Sequence, residues 1–379
     1  MTLNEEVEEF LKSKGAIKVG FATIETLAGG PPSSDLTYIL PEAQSAISFA
    51  LTLNKEYIRD FLSKKNWKNH MKDNIDVNKK AFTISNDLIK ILKEKGFKAK
   101  QPPPPGNYIS FRQTKHEKEE DMNLDNQYRQ EVSNWRLILP PRLSQRYVAV
   151  RSGVGSYGWS GCIGIKDIGT NIILGGVVTD AKLNPTDPEP SNENFCDNCK
   201  ICTHVCVSNF MKQKEETNIT LGKVKFSHSA RRSKLRCQLV CGGFSGLHSS
   251  GKWSTWSPGR YQIPEDDKKM IKILSTAVMN YQKWPENTMS EYDPPYKGLR
   301  LTCAFCQLVC FGNKQETIEN YKLIKNSGCV IQKENGDYII LQADEAKEYF
   351  EQFPKKHQEK YYIKKRKKRK THSLIKKTH

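Results

Sequence analysis

Hydrophobic and polar positions alternate with two different periods in the first 180 residues. Helical periodicity occurs in two amphipathic segments: 5–14 and 81–95. Short apolar runs that predict buried strands occur in four places: 17–24, 46–53, 147–150 and 171–180. Strands that alternate with helices predict a mixed α/β or α+β domain in this part of the chain.

Polar and proline-rich segments interrupt this pattern. NPTDPEPSNEN at 184–194 predicts a linker, and the polar stretch at 112–131 predicts an excursion over the surface. Near the C-terminus, two apolar runs flank an Asn-Gly turn, which predicts a hairpin over 329–342. A short helix is predicted over 344–353.

Positive charge is concentrated at one end of the 379-residue chain. The 60 Lys and Arg exceed the 42 Asp and Glu, which gives a net charge of +18, and residues 355–379 alone contribute +11. Such a run indicates either a disordered, solvated tail or a non-specific grip on RNA or another polyanion. Charge alone does not decide between the two.

Apolar runs in this chain are short, and none approaches the roughly 18 residues that a membrane span requires. The first residues, MTLNEEVEEFLKSKG, are acidic and helix-patterned and carry no basic or apolar export signal. We therefore expect a cytoplasmic protein with no membrane span. In that compartment the 11 cysteines would be kept as thiols rather than disulfides.

The spacing of the cysteines is the strongest chemical signal in the chain. Cys196, Cys199, Cys202 and Cys206 form C-x2-C-x2-C-x3-C. In bacterial ferredoxins, three thiolates of this motif bind one [4Fe–4S] cluster and the fourth binds another. A structural zinc site would instead use two C-x2-C pairs about 15–20 residues apart. The motif therefore predicts iron–sulfur clusters.

A shortened copy of the motif, C-x2-C-x3-C, follows at Cys303, Cys306 and Cys310. It lacks one ligand, for which Cys237 and Cys241 are the candidates. Crossed ligation, as in two-cluster ferredoxins, predicts two sites. One site would use Cys196, Cys199, Cys202 and Cys310, and the other Cys206, Cys303, Cys306 and either Cys237 or Cys241. The remaining two cysteines, Cys162 and Cys329, are expected to be buried thiols.

A glycine-rich stretch, Gly153-Val-Gly155-Ser-Tyr-Gly158, satisfies the G-x-G-x-x-G pattern of dinucleotide-binding folds. That pattern requires a helix directly after the glycines, whereas the residues that follow here, WSGCIGIKDIGTN, are poor helix formers. We expect instead a loop that lets the backbone lie against a large flat ligand.

Several stretches, in a fixed order, resemble the cobalamin-dependent iron–sulfur reductases, the superfamily of the reductive dehalogenases and the tRNA epoxyqueuosine reductases. These stretches are QRYVAVRSGVGSYGWSG, IILGGVVTDAKL, PTDPEP, FCDNCKICTHVC and the shortened cysteine motif. The similarity extends over about 145–210 and 300–312.

The resemblance implies an α+β fold, in which a nitroreductase-like corrinoid-binding domain precedes a two-[4Fe–4S] ferredoxin-like module. It divides the chain into four parts: a corrinoid-binding part (1–190), a ferredoxin-like part (191–315), a hairpin-helix extension (316–354) and the basic tail (355–379). It implies two [4Fe–4S] clusters and a cobalamin as cofactors, and a ferredoxin- or flavodoxin-type electron donor. The segment expected to contact the corrinoid contains Arg146, Gly153, Gly155, Gly158, Trp159 and Gly161.

The chain departs from these families at positions that bear on its substrate. Epoxyqueuosine reductases carry a catalytic aspartate seven residues before the arginine that matches Arg146, and Leu139 occupies that position here. Respiratory dehalogenases are exported with a twin-arginine signal, and MTLNEEVEEF contains none. These departures favour a cytoplasmic relative that acts on a small organic or nucleoside substrate.

Reductive cleavage of a bond at a corrinoid needs a proton donor near the reacting atoms. The side chains that could serve are Tyr57, Tyr108, Tyr147, Tyr157, His70, His116 and His248. Tyr157 lies within the glycine-rich stretch and is the preferred candidate for the catalytic proton donor.

Three functions are compatible with these features. The favoured function is a corrinoid and [4Fe–4S] reductase that cleaves a carbon–halogen or carbon–oxygen bond. A tRNA epoxyqueuosine reductase-like enzyme would use the same cofactors, and tRNA as its partner would also explain the excess of basic residues. A non-catalytic two-cluster electron carrier would hold the clusters without a corrinoid.

Overall fold

The structure is a computed structural model that describes residues 1–103, 118–132, 141–280 and 302–358. Tyr108, His116, Leu139 and most of the basic tail lie outside these ranges. The helices are α1 (Leu3–Ser13), α2 (Ile24–Leu27), α3 (Lys55–Leu62), α4 (Lys68–Glu94), α5 (Lys118–Glu131), α6 (Gln145–Arg151), α7 (Ile201–His204), α8 (Lys234–Cys241), α9 (Met270–Asn280), α10 (Phe305–Leu308), α11 (Lys314–Lys325), α12 (Ala343–Glu351) and α13 (Lys355–Gln358). The strands are β1 (Lys18–Thr23), β2 (Ser45–Thr52), β3 (Ala99–Lys100), β4 (Ser156–Tyr157), β5 (Ile163–Gly164), β6 (Ile172–Thr179), β7 (Met211–Leu221), β8 (Val224–Arg231), β9 (Cys329–Gln332) and β10 (Tyr338–Leu341).

An antiparallel sheet in the order β1-β2-β6-β3 organises the first part of the chain. Side chains of a strand alternate between its two faces, so β2 contributes to two cores. Ile47 and Phe49 pack with α1 and α4, whereas Ala46 and Ala50 pack with α6. The sheet therefore lies between helices on both faces, which confirms the mixed helix-and-sheet class that the sequence predicts.

Helix α4 begins earlier than the amphipathic stripe at 81–95 predicts. It starts at Lys68, and its N-terminal half is polar enough to hide the helical period. His70 lies in this first part of the helix and is fully buried. Packing against the rest of the protein therefore stabilises the helix where the apolar period is missing. Among the described residues, no helix is both long and apolar enough to cross a membrane.

The prediction of a strand at 147–150 is wrong, because these residues lie in helix α6. Val148, Ala149 and Val150 are all buried between the sheet and the glycine-rich stretch. The β-branched valines favour a strand only weakly, and burial of a compact helical turn against the sheet outweighs that preference.

A second core gathers around the cysteine motifs. Helix α3 contributes Phe61 to it, and the segments between the cysteines contribute residues such as Val205, Phe305 and Val309. The C-terminal hairpin of β9 and β10, which the sequence predicts, packs with α12 in a smaller cluster of its own.

Lys64 joins the end of α3 to the segment before the C-terminal hairpin. Its buried ammonium donates hydrogen bonds to the Ser327 hydroxyl and the Gly328 carbonyl oxygen. Burial lowers the pKa of Lys64 to about 7, and the neighbouring Cys329 offsets only part of this effect. The cause is the loss of hydration of the charged ammonium.

We expect the contribution of Lys64 to make the protein more stable as the pH rises from about 7 to about 10. In the unfolded chain this lysine keeps its proton up to its ordinary pKa of about 10.4, so the unfolded state binds more protons over this range. Urea titrations at several pH values should show a shallower rise in the free energy of unfolding for Lys64→Met than for the wild type. Equal slopes would contradict the assignment.

Candidate iron–sulfur and crevice site

The two cysteine motifs share one local structure. In each, the residue after a cysteine takes a left-handed conformation, and a single helical turn follows. Lys200, at φ 58°, precedes α7, and Ala304, at φ 80°, precedes α10. This conformation costs a non-glycine residue about 1–2 kcal/mol, and such positions concentrate at functional sites. The shortened motif is thus a structural copy of the complete one.

The first group of thiols combines cysteines of both motifs around a cavity of about 160 Å³ lined by Cys196, Cys199, Cys202 and Cys310. The backbone N–H of Trp159 donates to Cys196 Sγ over 3.3 Å. Burial raises the pKa of Cys310 to about 11, and Cys196 and Cys199 contribute to the increase. The four thiols are therefore neighbours around one cavity.

The second group also draws on both motifs and adds the two cysteines of helix α8. Cys237 and Cys241 stand one helical turn apart, with their sulfur atoms separated by 3.5 Å. Burial raises the pKa of Cys306 well above its usual range, and Cys206, Cys303 and Cys237 add to the effect.

The structure therefore brings together the thiols that crossed ligation requires. Cys310 joins three cysteines of the complete motif, whereas Cys206 of that motif joins Cys303 and Cys306. Thiolates are the usual ligands of [4Fe–4S] clusters, so the donor set of each group fits such a cluster. Within the described ranges, no three His, Cys, Asp or Glu side chains surround a single metal-ion position.

Cys162 lies between the two thiol groups, close to Cys202 of the first and Cys306 of the second. The residue is half-buried, as are the cysteines of both thiol groups, so the prediction of a buried thiol is wrong for Cys162. The same prediction is confirmed for Cys329. Sequence spacing gives no signal for the position of Cys162, because this residue belongs to neither motif.

The glycines of the predicted corrinoid-contacting segment pack against the protein's own atoms. A Cβ added to Gly153 would lie 2.3 Å from the Asp187 carbonyl oxygen, and one added to Gly155 would lie 2.5 Å from the Gly164 carbonyl oxygen. A Cβ added to Gly158 would lie 2.7 Å from the Phe195 ring, and one added to Gly161 would lie 2.2 Å from the Arg231 guanidinium. No helix begins within residues 153–170, in line with the sequence argument against a dinucleotide loop. Internal packing accounts for these glycines, and their contact with a corrinoid stays a prediction.

Trp159 is placed at the first thiol group. Besides its backbone contact with Cys196, its indole N–H donates to the Lys212 carbonyl oxygen over 3.2 Å. The ammonium of Lys200 lies 4.1 Å from the centre of one of its rings. The side chain thus closes one wall of the first cavity, and its proposed contact with a corrinoid also stays a prediction.

Arg146 and Arg231 converge on one carbonyl oxygen. Arg146 Nη1 donates to the Gly161 oxygen over 3.2 Å, and Arg231 Nη2 donates to the same oxygen over 3.4 Å. Neither guanidinium forms an ion pair with a carboxylate of the described residues. Arg231 lies in the β7–β8 hairpin, which the sequence analysis did not predict. The sequence signal for this hairpin is Gly222, which stands between two segments of alternating polar and apolar residues.

These two arginines and the buried Tyr157 define a region that we call the crevice. Both arginine side chains are exposed. Desolvation, followed by the charge of Arg146, lowers the pKa of Arg231. Desolvation acts in the same direction on Arg146, but the nearby Cys162 and Tyr157 outweigh it and raise that pKa. Because Cys306 and Cys237 also act on Arg146, the crevice borders the second thiol group.

Tyr157, the preferred proton donor, is buried beside the same arginines. Its ring centre lies 5.1 Å from that of His228, a second residue of the hairpin that sequence analysis missed. Burial, followed by Tyr147, raises the pKa of Tyr157 strongly, while Arg146 and Arg231 act in the opposite direction. The phenol therefore keeps its proton at neutral pH, but its raised pKa makes it a weaker acid than an ordinary tyrosine.

The other candidate donors differ in their surroundings. Tyr147 lies beside Tyr157, whereas Tyr57 is exposed on α3. His70 is fully buried, neither of its ring nitrogens has a hydrogen-bond partner among the described residues, and burial lowers its pKa to about 4. His248 stacks on Trp253. None of these observations favours them over Tyr157.

Comparison with known sequences finds no matching family model and no matching curated protein. Comparison with solved structures finds two kinds of reductase. Epoxyqueuosine reductase from Bacillus subtilis is 21% identical over 55% of this chain and 52% of its own, with a TM-score of 0.34. The Streptococcus thermophilus enzyme is 16% identical over 55% of this chain and 53% of its own, with a TM-score of 0.34.

The second kind of similar structure is a catabolic reductive dehalogenase, solved in complex with 3-bromo-4-hydroxybenzoic acid. It is 12% identical over 77% of this chain and 37% of its own, with a TM-score of 0.42. The chain is similar to both kinds. It spans about half the length of the epoxyqueuosine reductases it matches. The two kinds are those that the sequence resemblance names.

The packing around Gly153 generates a stability prediction. Gly153 (φ +70°) and Gly251 (φ +71°) share a left-handed conformation, but only at Gly153 would a Cβ meet a backbone oxygen; at Gly251 it meets nothing within 4 Å. Both alanine variants bear the same backbone strain, so Gly153→Ala should lose about 1–3 kcal/mol more than Gly251→Ala. Urea denaturation measures both; equal losses would refute the packing argument.

Proposed function

We propose that this chain is an iron–sulfur reductase that holds two [4Fe–4S] clusters and passes electrons to a corrinoid for the reductive cleavage of a carbon–halogen or carbon–oxygen bond. The observation that carries the proposal is the assembly of two thiol groups, each with cysteines of both motifs. The sequence resemblance to cobalamin-dependent reductases supports the corrinoid.

The positions of the two groups support a direction for the electrons. The first group opens into a surface cavity, where a ferredoxin- or flavodoxin-type donor could approach it. The second group borders the crevice that contains Arg146 and Tyr157. Iron–sulfur clusters carry single electrons, so a cluster in each group would form a path from the surface to the crevice.

Cys237 is the better candidate for the eighth cluster ligand. Its charge acts on Cys206, Cys303 and Cys306, the three other members of the second group. Cys241 contacts Cys237, with 3.5 Å between the sulfur atoms, and its thiol also interacts with Cys303. The four thiolates of a [4Fe–4S] cluster surround it, so we propose Cys206, Cys237, Cys303 and Cys306 as the ligands of the second cluster.

The crevice is the proposed site of the corrinoid. When bound there, a corrinoid would supply the metal-centred reductant for bond cleavage. The chain's own part is to hold a proton on the Tyr157 hydroxyl and to favour its release, because Arg146 and Arg231 act against burial to lower the pKa of that group. Arg146 and Arg231 provide positive charge beside it.

The substrate we propose is a small organic molecule or a nucleoside. A tRNA epoxyqueuosine reductase-like reaction is the alternative, with the basic excess of the chain as its support. A cytoplasmic location, with thiols kept reduced, would suit both reactions.

Iron content tests the ligand assignment. Anaerobically reconstituted protein should hold about eight irons per chain. Cys237→Ala should hold about four, because the second cluster loses a ligand, and Cys241→Ala should still hold about eight. Cys329→Ala, which removes a buried thiol outside both groups, is the matched control. Loss of iron in Cys241→Ala alone would transfer the assignment to Cys241.

Cobalt content tests the corrinoid. Incubation of the reconstituted protein with hydroxocobalamin under reducing, anaerobic conditions should leave about one cobalt per chain after gel filtration. Electron paramagnetic resonance should then show base-off Co(II). Protein that holds about eight irons but no cobalt would support the electron carrier instead of the reductase.

A further inference from the structure

The sulfur of Cys206 has two hydrogen-bond partners in the segment that follows it. The hydroxyl oxygen of Ser208 lies 3.3 Å from Cys206 Sγ, and the backbone N–H of Phe210 donates to the same sulfur over 3.3 Å. Ser208 is buried. In bacterial ferredoxins a proline follows the fourth cysteine, whereas Val207 follows Cys206 here. The hydroxyl contact therefore comes from residues that the ferredoxin motif does not specify.

A tight turn holds these two groups against the sulfur. The backbone N–H of Asn209 donates to the Cys206 carbonyl oxygen over 2.9 Å, and Asn209 takes a left-handed conformation at φ 51°. Asparagine is one of the residues that adopt this conformation most readily. The turn thus brings the Ser208 hydroxyl and the Phe210 N–H back to Cys206 Sγ.

A buried arginine fixes the position of Ser208 from a second element. Arg236 lies beside Cys237 in helix α8, and its Nη1 donates to the Ser208 carbonyl oxygen over 3.2 Å. Its Nε forms an ion pair with Asp267 over 2.5 Å, and its Nη2 donates to the Glu265 carbonyl oxygen over 2.7 Å. Charge-assisted hydrogen bonds of this kind are stronger than neutral ones. Ser208 therefore cannot shift away from Cys206 without disturbing buried contacts.

We propose that Ser208 donates a hydrogen bond to Cys206 Sγ when this sulfur ligates the second cluster, and that the bond raises the reduction potential of the cluster. A cysteine that ligates iron is a thiolate and has no proton to give, so the hydroxyl must be the donor. Reduction adds one electron to a cluster that is already negative, and a hydrogen bond to a ligating sulfur stabilises the added charge. No covalent bond forms or breaks, and no proton is transferred.

The inference rests on the proposed function, because it needs the second cluster. Ser208 acts here as a positioning residue, through the sulfur rather than on the substrate. The test is an anaerobic redox titration of the full-length reconstituted protein, followed by electron paramagnetic resonance. The wild type should show a midpoint potential for each cluster. Cys206→Ala removes a ligand of the second cluster, so the midpoint that this variant keeps belongs to the first.

Ser208→Ala removes the hydroxyl and should move the midpoint of the second cluster to lower potential, while the first cluster keeps its own. Ser208→Thr retains a hydroxyl and should stay near the wild-type value. Ser245→Ala is the matched control, because the equally buried Ser245 hydroxyl donates to the Tyr261 carbonyl oxygen, over 2.5 Å, rather than to a sulfur. In the Cys206→Ala protein, a further Ser208→Ala change should leave the remaining midpoint where it is.

The outcomes separate the inference from the proposed function. If Ser208→Ala holds about eight irons and neither of its midpoints moves, the inference is wrong and the proposed function stands. An equal shift in Ser208→Ala and Ser208→Thr would also refute it, since the hydroxyl would then not be the cause. A shift of the remaining midpoint in the double variant would refute it too, because the effect would not act through Cys206. If the wild type takes up no clusters, the proposed function fails, and the inference fails with it.

Discussion

The crossing of two cysteine motifs is the constraint on which the rest of the structure depends. Cys310 belongs to the second motif but lies with the first thiol group, and Cys206 belongs to the first motif but lies with the second group. Neither group is complete unless both motifs lie side by side. The chain between them must therefore leave and return, and helix α8 brings Cys237 and Cys241 to the second group on the way.

Apolar burial and backbone hydrogen bonds hold this crossing together. Residues between the cysteines, such as Val205 and Val309, are fully buried in one core with Phe61 of α3. The Cys310 carbonyl accepts hydrogen bonds from the Thr170 N–H and the Asn171 amide, which fix the second motif to the start of β6. The same burial raises the pKa of most of the thiols, so binding of a metal cluster would have to release their protons.

The crevice shows how the fold separates two kinds of chemistry. On one side, two groups of half-buried thiols form a site suited to single-electron carriers. On the other, Tyr157 holds a proton beside two arginines that have no carboxylate partner among the described residues. The β7–β8 hairpin makes this arrangement possible, because it places Arg231 over the glycine-rich stretch, where Gly161 leaves room for the guanidinium.

The sequence alone determined the features that depend on local spacing. The cysteine motifs, three of the four strands of the central sheet (β1, β2 and β6), the C-terminal hairpin and the rejection of a dinucleotide loop all follow from residues a few positions apart. Only the tertiary structure decided that residues 147–150 are helical, that Cys162 lies between the thiol groups and that Arg231 and His228 reach Tyr157. Each of these depends on segments that are distant in the chain and meet only when apolar surface is buried, so no local pattern encodes them.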